Sequence, residues 1–225
     1  MNNLALFIFT RDLRLIDNNA LDKERKNSKK VLPIFIFNKK QIDDDKNKYY
    51  SNNSIQFMCE SITELDSELR KLGSKLFMFY GDNDEIVEKL IKNNNIDAVY
   101  ITQDYSPFAK HRENQFKTIS ENHNILFEKV EGHMLTGVNK VLKDDNTPYV
   151  KFTAYYNVAK KVKVDNIIKK VNKNFVSSRT QIDGQFKKNI NTFYTENDNV
   201  LVRGGRNNAL NNLKNLKDFK NYNNN

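Results

Sequence analysis

The stretch SIQFMCESITELDSELRKLGSKLFMFY, residues 54–80, joins a helix pattern to a strand pattern and decides the fold class. Apolar residues in its first part recur three and four positions apart, as on one face of an α-helix; they are Ile55, Met58, Ile62, Leu65, Leu69 and Leu72. Ser54 is a suitable N-cap for this helix, and Gly73 a suitable C-terminal stop. The run at 76–80 is continuously apolar, as in a strand that is buried on both faces.

Similar units extend along the first 130 residues. Apolar runs bounded by turn residues lie at 4–9, 31–37, 98–102 and 125–130, and further helix patterns at 84–93 and 108–122. Because strands and helices alternate along the chain, we expect an α/β fold with a doubly wound, five-stranded parallel sheet.

Composition restricts the class of protein. The chain has 225 residues, 38% of them hydrophobic, and a formal charge of +9. One compact core is the default at this length, and the charge favours an anionic partner such as nucleic acid through weak, non-specific contacts. The apolar run at 4–9 is too short to span a membrane. We therefore expect a soluble protein with no membrane association.

The number of cysteines and the spacing of the histidines indicate neither a disulfide nor a metal site. Cys59 is the single cysteine, so no intramolecular disulfide can form, which fits an intracellular, reducing compartment; the residue is expected in the core. His111, His123 and His133 lack the spacing of metal ligands. We predict no metal site.

The chain after about residue 130 has a different pattern. Residues 132–203 contain turn residues but no long amphipathic helix, which is typical of a connecting segment on a surface. Apolar residues return at helical spacing between 206 and 222. The predicted division is an α/β domain at 1–131, a linker at 132–203, and the start of a further helical unit at 204–225.

The expected ligand site lies where the sheet connections diverge, beyond the C-terminal ends of the strands. That rule selects the loops at 10–17, 37–42 and 102–107. No GxGxxG motif follows the first strand and no GxxxxGK[ST] motif occurs. Both absences disfavour an ordinary dinucleotide oxidoreductase or nucleotide hydrolase.

Four ordered motifs carry a family resemblance. TRDLRLIDNNAL (10–21) resembles the RRDLRLxDNxAL signature of DNA photolyases and cryptochromes, and QDYSPFAKHR (103–112) is similar to their xDxxPYAxxRD segment. LTG (135–137) with TPYVKFTAYY (147–156) resembles the family's interdomain linker, and GGRNNAL (204–210) the start of its flavin domain. Phe108, Glu113 and Arg206 replace the usual Tyr, Asp and acidic residue. The chain thus resembles the family's N-terminal, antenna-binding α/β domain.

An antenna-chromophore site is implied by this resemblance. The residues it suggests are Arg11, Asp12, Phe35, Phe37, Gln56 and Asp104. A deazaflavin or FMN is favoured over folate, because Phe108 and Ala109 stand where folate-binding relatives have an Asn-Glu pair. Several of these residues also have a structural interpretation. The charged side chains of the loop at 10–17 can brace that loop, and at least one of the two Phe rings can be core packing. Gln56 can be an ordinary exposed helix residue, and Asp104 can cap the following helix.

The resemblance also implies an activity and a partner. The hypothesis is a truncated or split photolyase, from the family of light-dependent DNA repair enzymes, that stops before the FAD-binding catalytic domain. We then expect no catalytic residues and no FAD on this chain alone, a separately encoded FAD-binding half as partner, and specific DNA contact only through that half. The alternatives are a stand-alone chromophore- or nucleotide-binding module and a remnant without function.

Overall fold

Five parallel strands form the centre of the protein, for which a computed structural model describes residues 1–171 and 173–214. The strands are β1 (Asn2–Phe9), β2 (Ser28–Phe37), β3 (Phe77–Tyr80), β4 (Ala98–Thr102) and β5 (Leu126–Val130), in the order β3-β2-β1-β4-β5. The doubly wound parallel sheet predicted from the sequence is confirmed, with β1 at its centre.

Helices connect and follow the strands. They are α1 (Asn19–Asn27), α2 (Lys39–Ile42), α3 (Asn52–Lys71), α4 (Asn83–Asn93), α5 (Pro107–Asn122), α6 (Phe152–Ala159) and α7 (Arg206–Lys214), with a 3₁₀ turn at Ile190–Phe193. The final predicted helix begins at Arg206 as expected, and its predicted continuation to 222 lies outside the described residues.

Alternating side chains of β1 build a core on each face of the sheet. Phe7 and Phe9 pack with α1 and α3, whereas Leu6 and Ile8 pack with α4 and α5. Since the helices after β1 and β4 lie on opposite faces, their loops diverge and open a crevice at the C-terminal edge of the sheet.

The ends of α3 differ slightly from the predicted ones. Ser51, not Ser54, is the N-cap, and its hydroxyl accepts from the Ser54 amide at 3.4 Å. At the other end Gly73 adopts a φ of 79°, and the Ser74 amide donates to the Leu69 carbonyl at 3.0 Å. The predicted glycine stop is therefore observed, and it satisfies a carbonyl of the last turn.

The linker returns to the sheet rather than only crossing the surface. Phe175 forms a parallel bridge with Val31, on the part of β2 that precedes its pairing with β3 at Ile34. Phe175 is buried in the core beside α1 and α3, and Ile182 in the core on the other face. This segment therefore covers an otherwise open strand edge. The predicted boundaries at 131/132 and 203/204 stay predictions.

Candidate functional site

A large cleft opens at the C-terminal ends of β1, β2 and β4. Its volume is about 1190 Å³, and its apolar walls include Phe9, Leu13, Phe35, Ile55, Met58 and Phe108. Most ligand sites combine such apolar walls with a few placed polar groups. The size and lining suit a fused aromatic heterocycle with a polar substituent.

The charges around this cleft are mostly positive. Among the described lining residues Asp104 is the one carboxylate, and the cations are Arg11, Lys40, Lys46, Lys48 and Arg112. Cations gathered at a concave, partly apolar surface attract anions by long-range electrostatics. The cleft therefore favours a ligand that carries negative charge.

Asp104 and Arg11 form an ion pair on the cleft wall. Arg11 Nη1 lies 3.5 Å from Asp104 Oδ1, and the Arg11 side chain is 70% exposed whereas that of Asp104 is 8% exposed. The same Oδ1 accepts from the amides of Tyr105 at 2.6 Å and Ser106 at 3.2 Å. Burial alone would raise the pKa of Asp104, but these amides and Arg11 outweigh it and hold the pKa below its usual value. Asp104 is thus an anionic acceptor at the sheet edge.

The cap of α5 is Ser106, not Asp104. The Ser106 hydroxyl accepts from the Ala109 amide at 3.3 Å, and Pro107 occupies the first helical position, where no amide donor is needed. Asp104 instead fixes the turn before the helix through its two amide contacts. The first turn of α5 therefore faces the cleft through Ser106, Phe108 and Ala109.

Asp12 lies behind the cleft and braces the first loop. Its Oδ2 accepts from Thr102 Oγ1 at 2.6 Å and from Asn18 Nδ2 at 2.9 Å, and its Oδ1 accepts from the Thr10 amide at 3.2 Å. Asp12 is buried and is not among the lining residues. Its contacts are those of a structural anchor between the β1 and β4 loops.

Phe35 and Phe37 have different surroundings although they lie on the same face of the sheet. Their ring centroids are 5.0 Å apart, because only adjacent strand residues alternate between faces. Phe35 lines the cleft, whereas Phe37 packs against Phe193 at 4.8 Å and Phe186 at 5.9 Å. Phe37 is therefore core packing beneath the linker.

Gln56 lies away from the cleft and fastens the C-terminal segment to α3. Its Nε2 donates to the Asn197 carbonyl at 3.2 Å and to Glu60 Oε1 at 3.0 Å, while its Oε1 accepts from the Asn197 amide at 2.9 Å. Gln56 is buried, so the interpretation as an ordinary exposed helix residue is wrong.

The structure thus brings three of the six predicted residues to the cleft: Arg11, Phe35 and Asp104. Whether any of the six contacts a ligand stays a prediction. Arg112 and Lys40 also line the cleft, although neither was among the residues predicted from the sequence. Arg112 lies within the quoted 103–112 motif, one helical turn after Phe108, and that spacing was the available signal.

Neither a metal cluster nor a membrane-spanning helix is found in residues 1–171 and 173–214, the part of the chain that the structure describes. No group of three or more His, Cys, Asp or Glu side chains in this part of the chain is arranged to hold a metal ion. None of its helices combines the length and apolarity that a membrane span requires. Cys59 is buried, as expected, and burial raises the pKa of its thiol to about 12.

Comparison with known sequences identifies a family. The family model described as DNA photolyase matches residues 5–172 of the chain. The (6-4)DNA photolyase of Arabidopsis thaliana is 24% identical over 162 residues, which cover 69% of this chain and 29% of that protein. Cryptochrome DASH of Idiomarina loihiensis is 33% identical over 107 residues, covering 44% of this chain and 23% of that protein. The chain therefore spans under a third of the length of these relatives.

Solved structures share the same architecture. An archaeal photolyase from Sulfolobus tokodaii, described as holding two FAD molecules, superposes with a TM-score of 0.79 at 32% identity, covering 92% of this chain and 45% of that one. A class III photolyase from Agrobacterium tumefaciens superposes with a TM-score of 0.80 at 19% identity, covering 97% and 45%. The second likeness concerns the fold alone.

Proposed function

The chain belongs to the DNA photolyase family, and on that premise we propose that its cleft binds an antenna chromophore of the flavin or deazaflavin type. The observation that carries the proposal is the cleft of about 1190 Å³, in which Phe35 and Phe108 supply apolar walls and the Arg11-Asp104 pair supplies polar groups. A fused tricyclic ring has apolar faces and a polar edge, so it matches both kinds of lining. The Sulfolobus tokodaii relative with two FAD molecules supports a flavin.

The light-driven chemistry belongs, in this proposal, to an FAD-binding half that follows this region or associates with it as a separate chain. The relatives extend well beyond the region matched here. On α6, Phe152 is 75% and Tyr156 52% exposed, and their rings stack at 5.9 Å. This apolar pair is a suitable contact for that half, and specific DNA binding would come through it. Co-elution of the two halves in size-exclusion chromatography tests the association.

Titration of the protein with a deazaflavin, FMN and a folate tests the antenna site. We expect saturable, one-to-one binding of the flavin-type rings, with folate binding much more weakly. Asp104→Ala should weaken binding roughly tenfold to a hundredfold, as loss of a hydrogen bond to a charged acceptor does. Asp104→Asn keeps an acceptor for the turn amides and should lose less.

The matched control is Asp165→Ala, which removes an exposed carboxylate outside the cleft lining. It should leave the affinity unchanged. Absence of binding by all three chromophores would refute the proposal, and equal affinity of Asp104→Ala and the unsubstituted protein would place the ligand elsewhere.

A further inference from the structure

A strip of exposed lysines lies beside α1, outside the cleft lining. Its cations come from two distant parts of the chain and form what we call the basic strip. Lys26 and Lys29 belong to the end of α1 and the start of β2, and Lys169, Lys170 and Lys173 to the linker. All five are exposed, and none is among the described residues that line the cleft.

Hydrogen bonds fix the linker part of the basic strip against the domain. The Asp17 amide donates to the Ile168 carbonyl at 2.9 Å, and Asp17 Oδ1 accepts from the Ile168 amide at 3.1 Å. The Val31 amide donates to the Asn174 carbonyl at 3.0 Å, and the Val176 amide to the Val31 carbonyl at 2.9 Å. Both ends of the stretch that carries the linker lysines are therefore held in place.

The apolar side chains of this stretch face the core, whereas its lysines face outward. Val171 packs against the core beside α1 and α3, and Phe175 is buried in the same core. Lys29 shares that face of the sheet, since Val31, two residues further along β2, is also in this core. The surface of the basic strip is therefore charged, unlike the amphipathic surface that binds a membrane.

Little negative charge opposes the basic strip. Asp22 already forms ion pairs with Arg25 at 2.7 Å and with Lys26 at 2.8 Å. Glu24 is buried, and burial raises its pKa to about 8, so it is mostly protonated at neutral pH. Within residues 1–171 and 173–214, neither Lys29 nor any of the three linker lysines forms an ion pair. The strip therefore keeps most of its positive charge.

We propose that the basic strip binds the phosphate backbone of double-stranded DNA, without regard to base sequence or damage. Lysine contacts with phosphates release counterions and carry no sequence information. Proteins that bind single strands combine cations with aromatic rings on which bases stack, and the basic strip has no ring. A duplex is therefore the nucleic acid that it fits. The inference does not depend on the antenna site, and it concerns a contact made by this chain itself.

Fluorescence anisotropy with a labelled, undamaged duplex tests the proposal. We expect a Kd of about 1 to 100 μM near physiological salt, equal for unrelated sequences and for a duplex that contains a thymine dimer. The triple variant Lys169→Gln, Lys170→Gln, Lys173→Gln should weaken binding at least about tenfold at about 50 mM salt. It should also reduce the slope of log K against log salt by about 3, because each lost phosphate contact contributes about 0.9.

A second triple variant serves as the matched control. Lys89→Gln, Lys110→Gln and Lys117→Gln remove the same charge from exposed positions on α4 and α5, which pack on the opposite face of the sheet. We expect this variant to bind DNA within about threefold of the unsubstituted protein at the same salt concentration, since only long-range attraction is reduced. Thermal melting of both variants establishes that they are folded.

The outcomes separate this proposal from the antenna site. Equal weakening by the two triple variants would overturn it, because net charge and not the basic strip would then explain binding. An unchanged salt slope in the first variant, or tighter binding to anionic lipid vesicles than to DNA, would also overturn it. FMN titration of the first variant should give the affinity of the unsubstituted protein, so a protein that binds no chromophore but still binds DNA through the strip would refute the antenna site alone.

Discussion

Asp12 and Asp104 are both buried carboxylates at the C-terminal edge of the sheet, but they hold different groups. Asp12 accepts from Thr10, Asn18 and Thr102, all of them protein donors behind the cleft. Asp104 accepts from the turn before α5 and from Arg11 on the cleft wall. Asp12 should therefore matter for stability, and Asp104 for ligand binding.

Replacing Asp12 by Ala should lower the free energy of unfolding by about 3 kcal/mol. The change leaves the buried Thr102 hydroxyl and the Thr10 amide without their acceptor, and it removes one of the acceptors of the Asn18 side-chain amide. Urea denaturation followed by circular dichroism measures the loss, with Asp165→Ala as the exposed control. A loss below about 1 kcal/mol would contradict the structural role.

Glu24 should make the stability depend on pH. It is fully buried on α1, and burial raises its pKa to about 8, against the opposing effects of a hydrogen bond with Ser28 and the charge of Arg25. The unfolded chain releases this proton near its ordinary pKa of about 4.5, while the folded protein keeps it. The stabilisation is therefore complete below about pH 4.5 and is lost as pH rises towards 8.

The expected slope from this group is up to about 1.4 kcal/mol per pH unit between those limits. Glu24→Gln stays neutral at every pH and should flatten the dependence when denaturation is measured from pH 5 to 8. Glu121→Gln, an exposed change, should leave the slope as it was. An equal slope in Glu24→Gln would show that Glu24 titrates normally.

At the level of elements, the start of α7 is attached to one face of α3. The Gly204 amide donates to Glu60 Oε2 at 2.6 Å, the Gly205 amide to Ser61 Oγ at 2.9 Å, and the Asn207 amide to Glu64 Oε1 at 3.1 Å. Carboxylates near a helix N-terminus satisfy its free amides and interact favourably with its dipole. The side chains of α3 thus fix where α7 begins.

Gly204→Ala should detach α7 from α3. A Cβ at this position would collide with the Phe57 carbonyl oxygen and come within 2.9 Å of Glu60 Cβ. Easier local opening should speed trypsin cleavage at Arg203 and Arg206 about tenfold or more. Asn211→Ala, an exposed change on the same helix, is the control. Cleavage at the unsubstituted rate would mean that close packing at Gly204 is not required.

The elements that the sequence predicted well are those with a strong apolar pattern. All five strands and α3, α4 and α5 lie within a few residues of their predicted bounds, because a strand or helix buried against the sheet must carry a continuous or periodic apolar face. Helix α1 was missed, since its buried residues are Ala20, Leu21 and Glu24 and the rest is polar. Helix α6 has no buried residue at all, which leaves no such pattern to detect.

The site was predicted less completely than the fold. Topology places the crevice, so the loops holding Arg11 and Asp104 could be selected from strand order alone. Gln56 and Phe37 could not be separated from the site in advance, because their partners Asn197, Phe186 and Phe193 come from the linker. Contacts between segments more than a hundred residues apart leave no local signal in a single sequence.

For the whole molecule, the linker and the sheet form one connected structure. The 174–186 segment hydrogen-bonds to Val31 on β2 and to Met78 on β3, and Tyr80, Phe186 and Phe193 form an aromatic cluster beside Phe37. This packing supports the side of the sheet next to the cleft. The linker thus contributes to the core on both faces of the sheet, through Phe175 on one face and Ile182 on the other.

A crystal structure of the protein with saturating FMN tests the central claim most directly. The account predicts one flavin in the cleft, with its ring between Phe35 and the Arg11-Asp104 pair. A flavin bound outside the loops that follow β1, β2 and β4, or a cleft that stays empty at saturation, would contradict the account.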